Sequence, residues 1–529
     1  MGFYQGTGRS AAFAMNAMCA TSHPLAAQAA LTIIREGGNA VDAAVAGAVV
    51  LGFCEPAMTG LGGDVFAMVR EPGSGRIHGL NGSGRAPAAL HAEMLRGQGY
   101  EAVPLESAHS VAVPGAVDAF ERLLRHFGTR DLATVLAPAI AAAENGVPVC
   151  HRSALDWGRF GHRLWGEGRR HFLRGGQNYR PGDVFSSAGQ AEALRLIAAE
   201  GADAFYQGAI AQDIVDTLRK AGGLHTMEDF ARTEATFIDP LRTRYRDHDL
   251  IELPPNGQGA TALLLTKILS RFDLARLDPV GPDRIHLHAE ATRLAYAARN
   301  RFVGDPDGDE IDLNTMLSDA SVDRLADEID MKHACTWIEA RIEALHRDTV
   351  YICVSDEKGL AVSLIYSIFY PFGSGLASRR FGISLQNRGA GFSLLPGHLN
   401  ELRGGKRPLH TLIPGFLELP GQYTMPFGVM GGAYQAAGHG HVVSNIVDYG
   451  MDVQQAIDTP RSFADIALGV LQIEDGVPEA AARDLAARGH QVARVPVGIG
   501  GAQAIRRDLS SGLLTGGSDQ RKDGCALGY

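Results

Sequence analysis

The chain contains no run of about 18 apolar residues, so a helical membrane span is not expected. No Lys/Arg run exceeds two residues and the net charge is −10, which argues against a nucleic-acid groove or a patch for anionic membranes. The first residues, Met-Gly-Phe-Tyr-Gln, lack a basic start leading into an apolar core, so no secretory signal is read there. Cysteine is sparse: Cys19, Cys54, Cys150, Cys335, Cys353 and Cys525 are dispersed without Cys-x-x-Cys spacing. Reduced thiols in a cytoplasmic protein are expected, rather than a disulfide framework or a zinc site. Also missing are a Gly-x-Ser-x-Gly elbow, His-Glu-x-x-His, a Walker A loop and Gly-x-Gly-x-x-Gly behind a strand. His286-Leu-His288 falls in a predicted helix, where positions i and i+2 point apart, so no metal site is expected from it.

What is present is a large core. Of 529 residues 45% are apolar, enough for one big domain or a few smaller ones. The 65 glycines are scattered rather than periodic, which fits many tight turns. Helical spacing runs from Pro24 to a Gly37-Gly38 stop, and a small-residue helix follows Asn39. Gly60-Leu-Gly-Gly-Asp64 turns into a strand at Val65. A helix is predicted from Pro138 to Glu144 with Pro in its first turn, and another from Ile285 to Arg301. Residues 308–348 are densely charged and end in Leu345-His346-Arg347-Asp348. Composition alone favours a solvated amphipathic helix and loop, while an exposed approach to a processing site is the other reading. From Thr349 the sequence turns strand- and Gly-rich, with helices near 436–448, 452–458 and 478–488. One composite domain with a change of texture near 349 is expected.

Thr349 opens a strand–turn–strand pattern through Asp356-Glu357-Lys358-Gly359. If the chain is cut between Asp348 and Thr349, the residue carries a hydroxyl nucleophile beside a free α-amine. The amine's ordinary pKa of about 8 leaves part of it unprotonated at neutral pH, so it can act as the base. A three-residue loop, 357–359 with Gly359 left-handed, pairs positions whose numbers sum to 716 and sets Thr349 opposite Ser367. A four-residue loop would shift the register and break the match. Gly431-Gly432, in the stretch Met430-Gly-Gly-Ala-Tyr434 between an apolar strand and a helix, offers backbone N–H groups suited to an oxyanion, or simply makes a tight turn. Polar groups also interrupt apolar sequence at Lys406-Arg-Pro-Leu-His410-Thr411 and at Asn387-Arg388.

Taken together these stretches resemble the γ-glutamyltranspeptidase family of N-terminal nucleophile hydrolases. The resemblance rests on Ser22-His-Pro-Leu-Ala, Gly37-Gly-Asn-Ala-Val-Asp-Ala-Ala, Glu55-Pro, Gly60-Leu-Gly-Gly-Asp, Val113-Pro-Gly and Gly304-Asp-Pro-Asp. It continues in Phe372-Gly-Ser-Gly, Lys406-Arg-Pro-Leu, Gly431-Gly, Asp448-Tyr-Gly and Ser518-Asp through Gly528-Tyr529. It implies an α+β fold, a four-layer αββα sandwich made as one precursor. Self-cleavage would give a large chain, 1–348, and a small chain, 349–529, that pair with each other. Homo-oligomers of that pair are possible, and no metal or organic cofactor is required.

The nucleophile of the family falls on Thr349, its supporting Thr on Ser367 and its oxyanion glycines on Gly431 and Gly432. Other positions depart from the pattern. The substrate-binding Asn becomes Phe369, the Asp that grips an α-amino group becomes Gly391, and the paired serines become His410 and Thr411. The carboxylate-binding Arg becomes Ser83, with Arg85 two residues on. Arg85, Asn387, Arg388, His410, Thr411 and Tyr434 are the candidate substrate contacts. Loss of the Asp removes the partner for an ammonium, which would be costly to bury unpaired. The expected substrate is therefore a small amide bearing a carboxylate, as in the branch containing oxamate amidohydrolase. The alternatives are a γ-glutamyltransferase or glutathione hydrolase, a β-lactam side-chain acylase, and an unprocessed binding or structural relative.

Overall fold

Burial along a single strand sets the architecture. In Val350–Ser355, Val350, Ile352 and Val354 point into one apolar core while Tyr351 and Cys353 point into another. Side chains alternate across a strand, so one that is apolar on both faces must be covered on both. A computed structural model describes residues 8–335 and 349–529 and shows what covers them.

Val350–Ser355 is central in a seven-stranded sheet. Its order is Cys525–Gly528, Met18–Thr21, Val350–Ser355, Ala361–Ser367, Asp64–Arg70, Ile77–Gly82, Thr236–Ile238. A second seven-stranded sheet runs Ala12–Ala14, Leu514–Ser518, Gly501–Asp508, Tyr423–Met430, Gly415–Leu419, His248–Glu252, Leu241–Tyr245. The sheets stack through Phe66, Met68, Tyr351 and Ile365 of the first and Ile251, Phe416, Met430 and Ile505 of the second. Contact is close: a Cβ on Gly428 would lie 2.3 Å from Tyr351 Cε2.

Helices close both outer faces. Pro24–Arg35, Ala40–Cys54, Ala116–Phe127 and Leu132–Asn145 pack on the first sheet. Gly259–Leu269, Pro282–Phe302 and Tyr434–Val447 pack on the second. The layers thus run helix, sheet, sheet, helix. Ala40–Cys54 is buried along its whole length, which its small residues allow, and it starts on an Asn39/Asp42 capping box. Each sheet combines strands from before and after residue 349, so a break at that point leaves every strand pairing in place. A smaller sheet, Ser462–Asp465, Val470–Ile473 and Val492–Arg494, packs with helix Glu479–Ala487 against Ile285 and Ala289 of the long helix.

One predicted helix start is corrected. Pro138 lies inside the helix, not in its first turn, because Asp131 caps it at the Thr134 N–H and the helix begins at Leu132. Among the described residues no helix is long and apolar enough to cross a membrane.

Candidate functional site

The hairpin has the register expected of it. Val350 pairs with Tyr366 and Ser355 with Ala361, and Gly359 takes φ +88° in the loop. Asp356 fixes that loop by accepting the Lys358 and Leu360 N–H groups. Thr349 immediately precedes the first pair and so sits across from Ser367. Its Oγ1 is 3.4 Å from Ser367 Oγ, and both residues are buried. Ser367 Oγ also accepts the Phe369 N–H at 2.8 Å, which braces a turn where Phe369 has φ +81°. Asp348 lies outside the described residues.

The strand that runs into the Gly-Gly turn packs across from the hairpin. Tyr351 lies against Gly428, while Ser363, opposite Cys353, accepts the Gly415 N–H and reaches the Phe427 carbonyl. The facing strand therefore passes the hairpin at 427 and 428 and runs on through Met430 to the glycines. Gly431 (φ +129°) and Gly432 (φ +56°) make the turn into helix Tyr434–Val447. The first value lies where only glycine sits comfortably. Among the described residues neither N–H finds a protein acceptor. Gln258, fully buried, holds the turn by donating to the carbonyls of Gly432 (3.1 Å) and Thr411 (2.9 Å).

Beside them lies a buried cation. The Arg388 guanidinium stacks 3.9 Å over the Phe369 ring and donates to Thr411 Oγ1 at 3.0 Å. Stacking of this kind is the use to which a planar, weakly hydrated guanidinium is suited. His410 is neutral: burial, then Arg388, lowers its pKa to about 3 against the pull of Asp64. Its Nε2–H donates to Asp64 at 3.1 Å and its Nδ1 accepts the Leu412 N–H at 3.3 Å. Asp64 is a hub that also accepts the Gly84 and Gly115 N–H groups and the Gln386 amide.

Other candidates lie in different surroundings. Arg85 is part-exposed and pairs with Asp305 at 3.3 Å and with Asp307. The side chain of Asn387 is used by the Tyr370 N–H and the Leu105 carbonyl. Ser83 donates to Asn81 Oδ1 at 2.7 Å. Tyr434 is buried against Phe463, and its hydroxyl has no partner among the described residues. Sequence reasoning missed Asp64 and Gln258 as organisers. Asp64 closes the Gly60-Leu-Gly-Gly motif, and a carboxylate leading into a buried strand is a signal that could have found it. Nothing local marks Gln258.

No His, Asp or Glu among the described residues hydrogen-bonds either hydroxyl of the Thr349–Ser367 pair. In N-terminal nucleophile hydrolases the base is the nucleophile's own α-amine rather than a neighbouring side chain. Within that class the chain belongs to the gamma-glutamyltranspeptidase family, whose model matches residues 26–529. It is 34% identical over 524 residues to the glutathione hydrolase-like YwrD proenzyme of Bacillus subtilis (strain 168), covering 97% of this chain and 98% of that one. It is likewise 34% identical over 536 residues to the oxamate amidohydrolase proenzyme of Klebsiella pneumoniae, again covering 97% and 98%. The crystal structure of cephalosporin acylase from Bacillus halodurans superposes with TM-score 0.91 at 37% identity, covering 100% of this chain and 98% of that one.

Proposed function

We propose that the protein is a self-processing acylase that hydrolyses amides whose acyl group ends in a carboxylate and carries no α-ammonium. In the precursor, Thr349 Oγ1 attacks the Asp348 carbonyl, the acyl group shifts from nitrogen to oxygen, and water releases residues 1–348 from 349–529. In the mature enzyme the freed amine takes the Thr349 hydroxyl proton as Oγ1 attacks the substrate amide. The proton passes to the leaving amine or ammonia, and water then hydrolyses the acyl-enzyme. The N–H groups of Gly431 and Gly432 meet the oxyanion of each tetrahedral intermediate, where one such donor is worth roughly 3–4 kcal/mol.

One observation carries the choice of substrate: Arg388 stacked on Phe369 and bonded to Thr411. Members that take γ-glutamyl groups present an Asn and a serine at the last two positions. Here the same place holds a cation and an aromatic face, and Gly391 offers no carboxylate to an ammonium. An acyl group with a terminal carboxylate suits this setting and an α-amino acid does not. Similarity to a cephalosporin acylase at 37% identity supports a bulky amine on the leaving side. Similarity to an oxamate amidohydrolase proenzyme supports a second reading, in which a small amide releases ammonia.

The test is a turnover panel of a cephalosporin carrying a carboxylated side-chain amide, oxamate, and a γ-glutamyl anilide. Turnover of the first is expected, with Arg388→Met raising its KM. Turnover of oxamate alone selects the second reading. A preference for the γ-glutamyl anilide refutes both.

A further inference from the structure

The long helix Pro282–Phe302 carries His286 and Glu290 four residues apart, hence side by side on one face. His490 reaches them from the loop after Glu479–Ala487, where Gly489 turns the chain with φ +103°. One ligand atom from each of the three lies within 4.8 Å of the others, and all three side chains are buried. We propose that His286, Glu290 and His490 hold one divalent transition-metal ion of the zinc type, bridging the segments before and after Thr349.

The hydrogen bonds orient the donors inward. His286 Nε2 is 2.9 Å from the Asp330 carbonyl, which can only accept, so that nitrogen bears the proton. His286 Nδ1 then presents its lone pair to the cluster, 2.8 Å from His490 Nε2. A ring nitrogen held by a backbone carbonyl while the other faces a metal is a common way of setting a ligand's tautomer. His490 Nε2–H donates to His286 Nδ1. On metal binding its Nε2 proton moves to Nδ1, which has no other partner among the described residues. Arg293 holds Glu290 Oε2 at 3.2 Å, while among the described residues Oε1 makes only a long 3.4 Å contact with the Cys335 N–H. That second oxygen is the one available to a metal.

Two imidazoles and one carboxylate form a borderline N,N,O set, which suits zinc over calcium or magnesium. The site also explains a convergence of backbone bonds. Arg488 donates to the Met331 carbonyl at 2.9 Å and accepts the Ala334 N–H at 2.7 Å. A bound ion would therefore pin the described end of the segment leading to Thr349. If the cut falls before Thr349, it would also clip the large chain to the small one through side chains alone.

The test uses the full-length protein, stripped with a chelator and titrated with Zn²⁺ by calorimetry, with metal content measured after dialysis. The wild type should retain a single Zn²⁺ per chain and gain thermal stability, while His490→Gln and Glu290→Gln each weaken binding by about tenfold or more. A wild type that retains no stoichiometric Zn²⁺ overturns the proposal, as does binding unchanged in both variants. Should the variants fail to fold, Co²⁺ loaded into the wild type decides. Visible bands of a nitrogen–oxygen site support it, and a thiolate-to-cobalt band overturns it. These readouts are independent of turnover, so this site and the amidohydrolase reading can fail separately.

Discussion

Replacing Ser367 with Ala tests the support of the nucleophile by a second hydroxyl. Ser367 Oγ makes two contacts, the 3.4 Å contact with Thr349 Oγ1 and the 2.8 Å bond from the Phe369 N–H. The first is long and sits at the weak end of the range, about 0.5 kcal/mol. The second matters more, because its loss leaves a buried N–H unsatisfied at a cost of about 1–3 kcal/mol. It also releases the turn that holds Phe369 at φ +81° under Arg388. The combined cost to the reactive geometry is about 1.5–3.5 kcal/mol, or roughly 10- to 400-fold in rate. Two measurements read it: the appearance of the two chains in a cell-free synthesis time course, and kcat of the processed enzyme. Ser367→Thr, which keeps the oxygen, should process at close to the wild-type rate. Ser367→Ala processing within a factor of about two of wild type would refute the reasoning, since even the smaller bond loss exceeds that.

Glu55 offers a pH test. It is buried against Ser22, and burial raises its pKa from an ordinary 4.5 to about 7. Between about pH 4.5 and 7 the folded state holds a proton that the unfolded state has released, so the contribution of Glu55 to stability falls by about 3 kcal/mol across that window and levels off above it. Thermal midpoints at pH 5 and pH 8 should differ less in Glu55→Gln than in wild type, and equal differences would contradict the assignment. Gly431→Ala, at φ +129°, forces a Cβ into a backbone region that costs about 1–3 kcal/mol. It should lower kcat by about tenfold or more in steady-state assays of whatever enzyme is processed.

How much of this was legible varied with the range of the interactions. The Thr349–Ser367 pairing followed from one turn, because Asp356-Glu-Lys-Gly359 fixes loop length and a strand's period of two does the rest. The helix Ala40–Cys54 was legible from Asn39 and its run of small residues. Pro138 misled, because a mid-helix proline was read as a start although Asp131 supplies the cap. Arg388 over Phe369 was not legible: it depends on a left-handed residue that no local preference predicts. Arg85 stood out as a free cation in sequence, but its partners Asp305 and Asp307 lie 220 and 222 residues away. Distance hid the His286–His490 contact in the same way, across 204 residues.

The central claim is that Thr349 cuts the chain in front of itself and then works from the new terminus. Intact-mass measurement with N-terminal sequencing of the purified wild type and Thr349→Ala tests it most directly. The account predicts two wild-type chains, the smaller beginning Thr-Val-Tyr-Ile-Cys, and a single inactive 529-residue chain for the variant. An intact wild type that turns over amides, a small chain beginning at another residue, or a Thr349→Ala protein that still divides would contradict it.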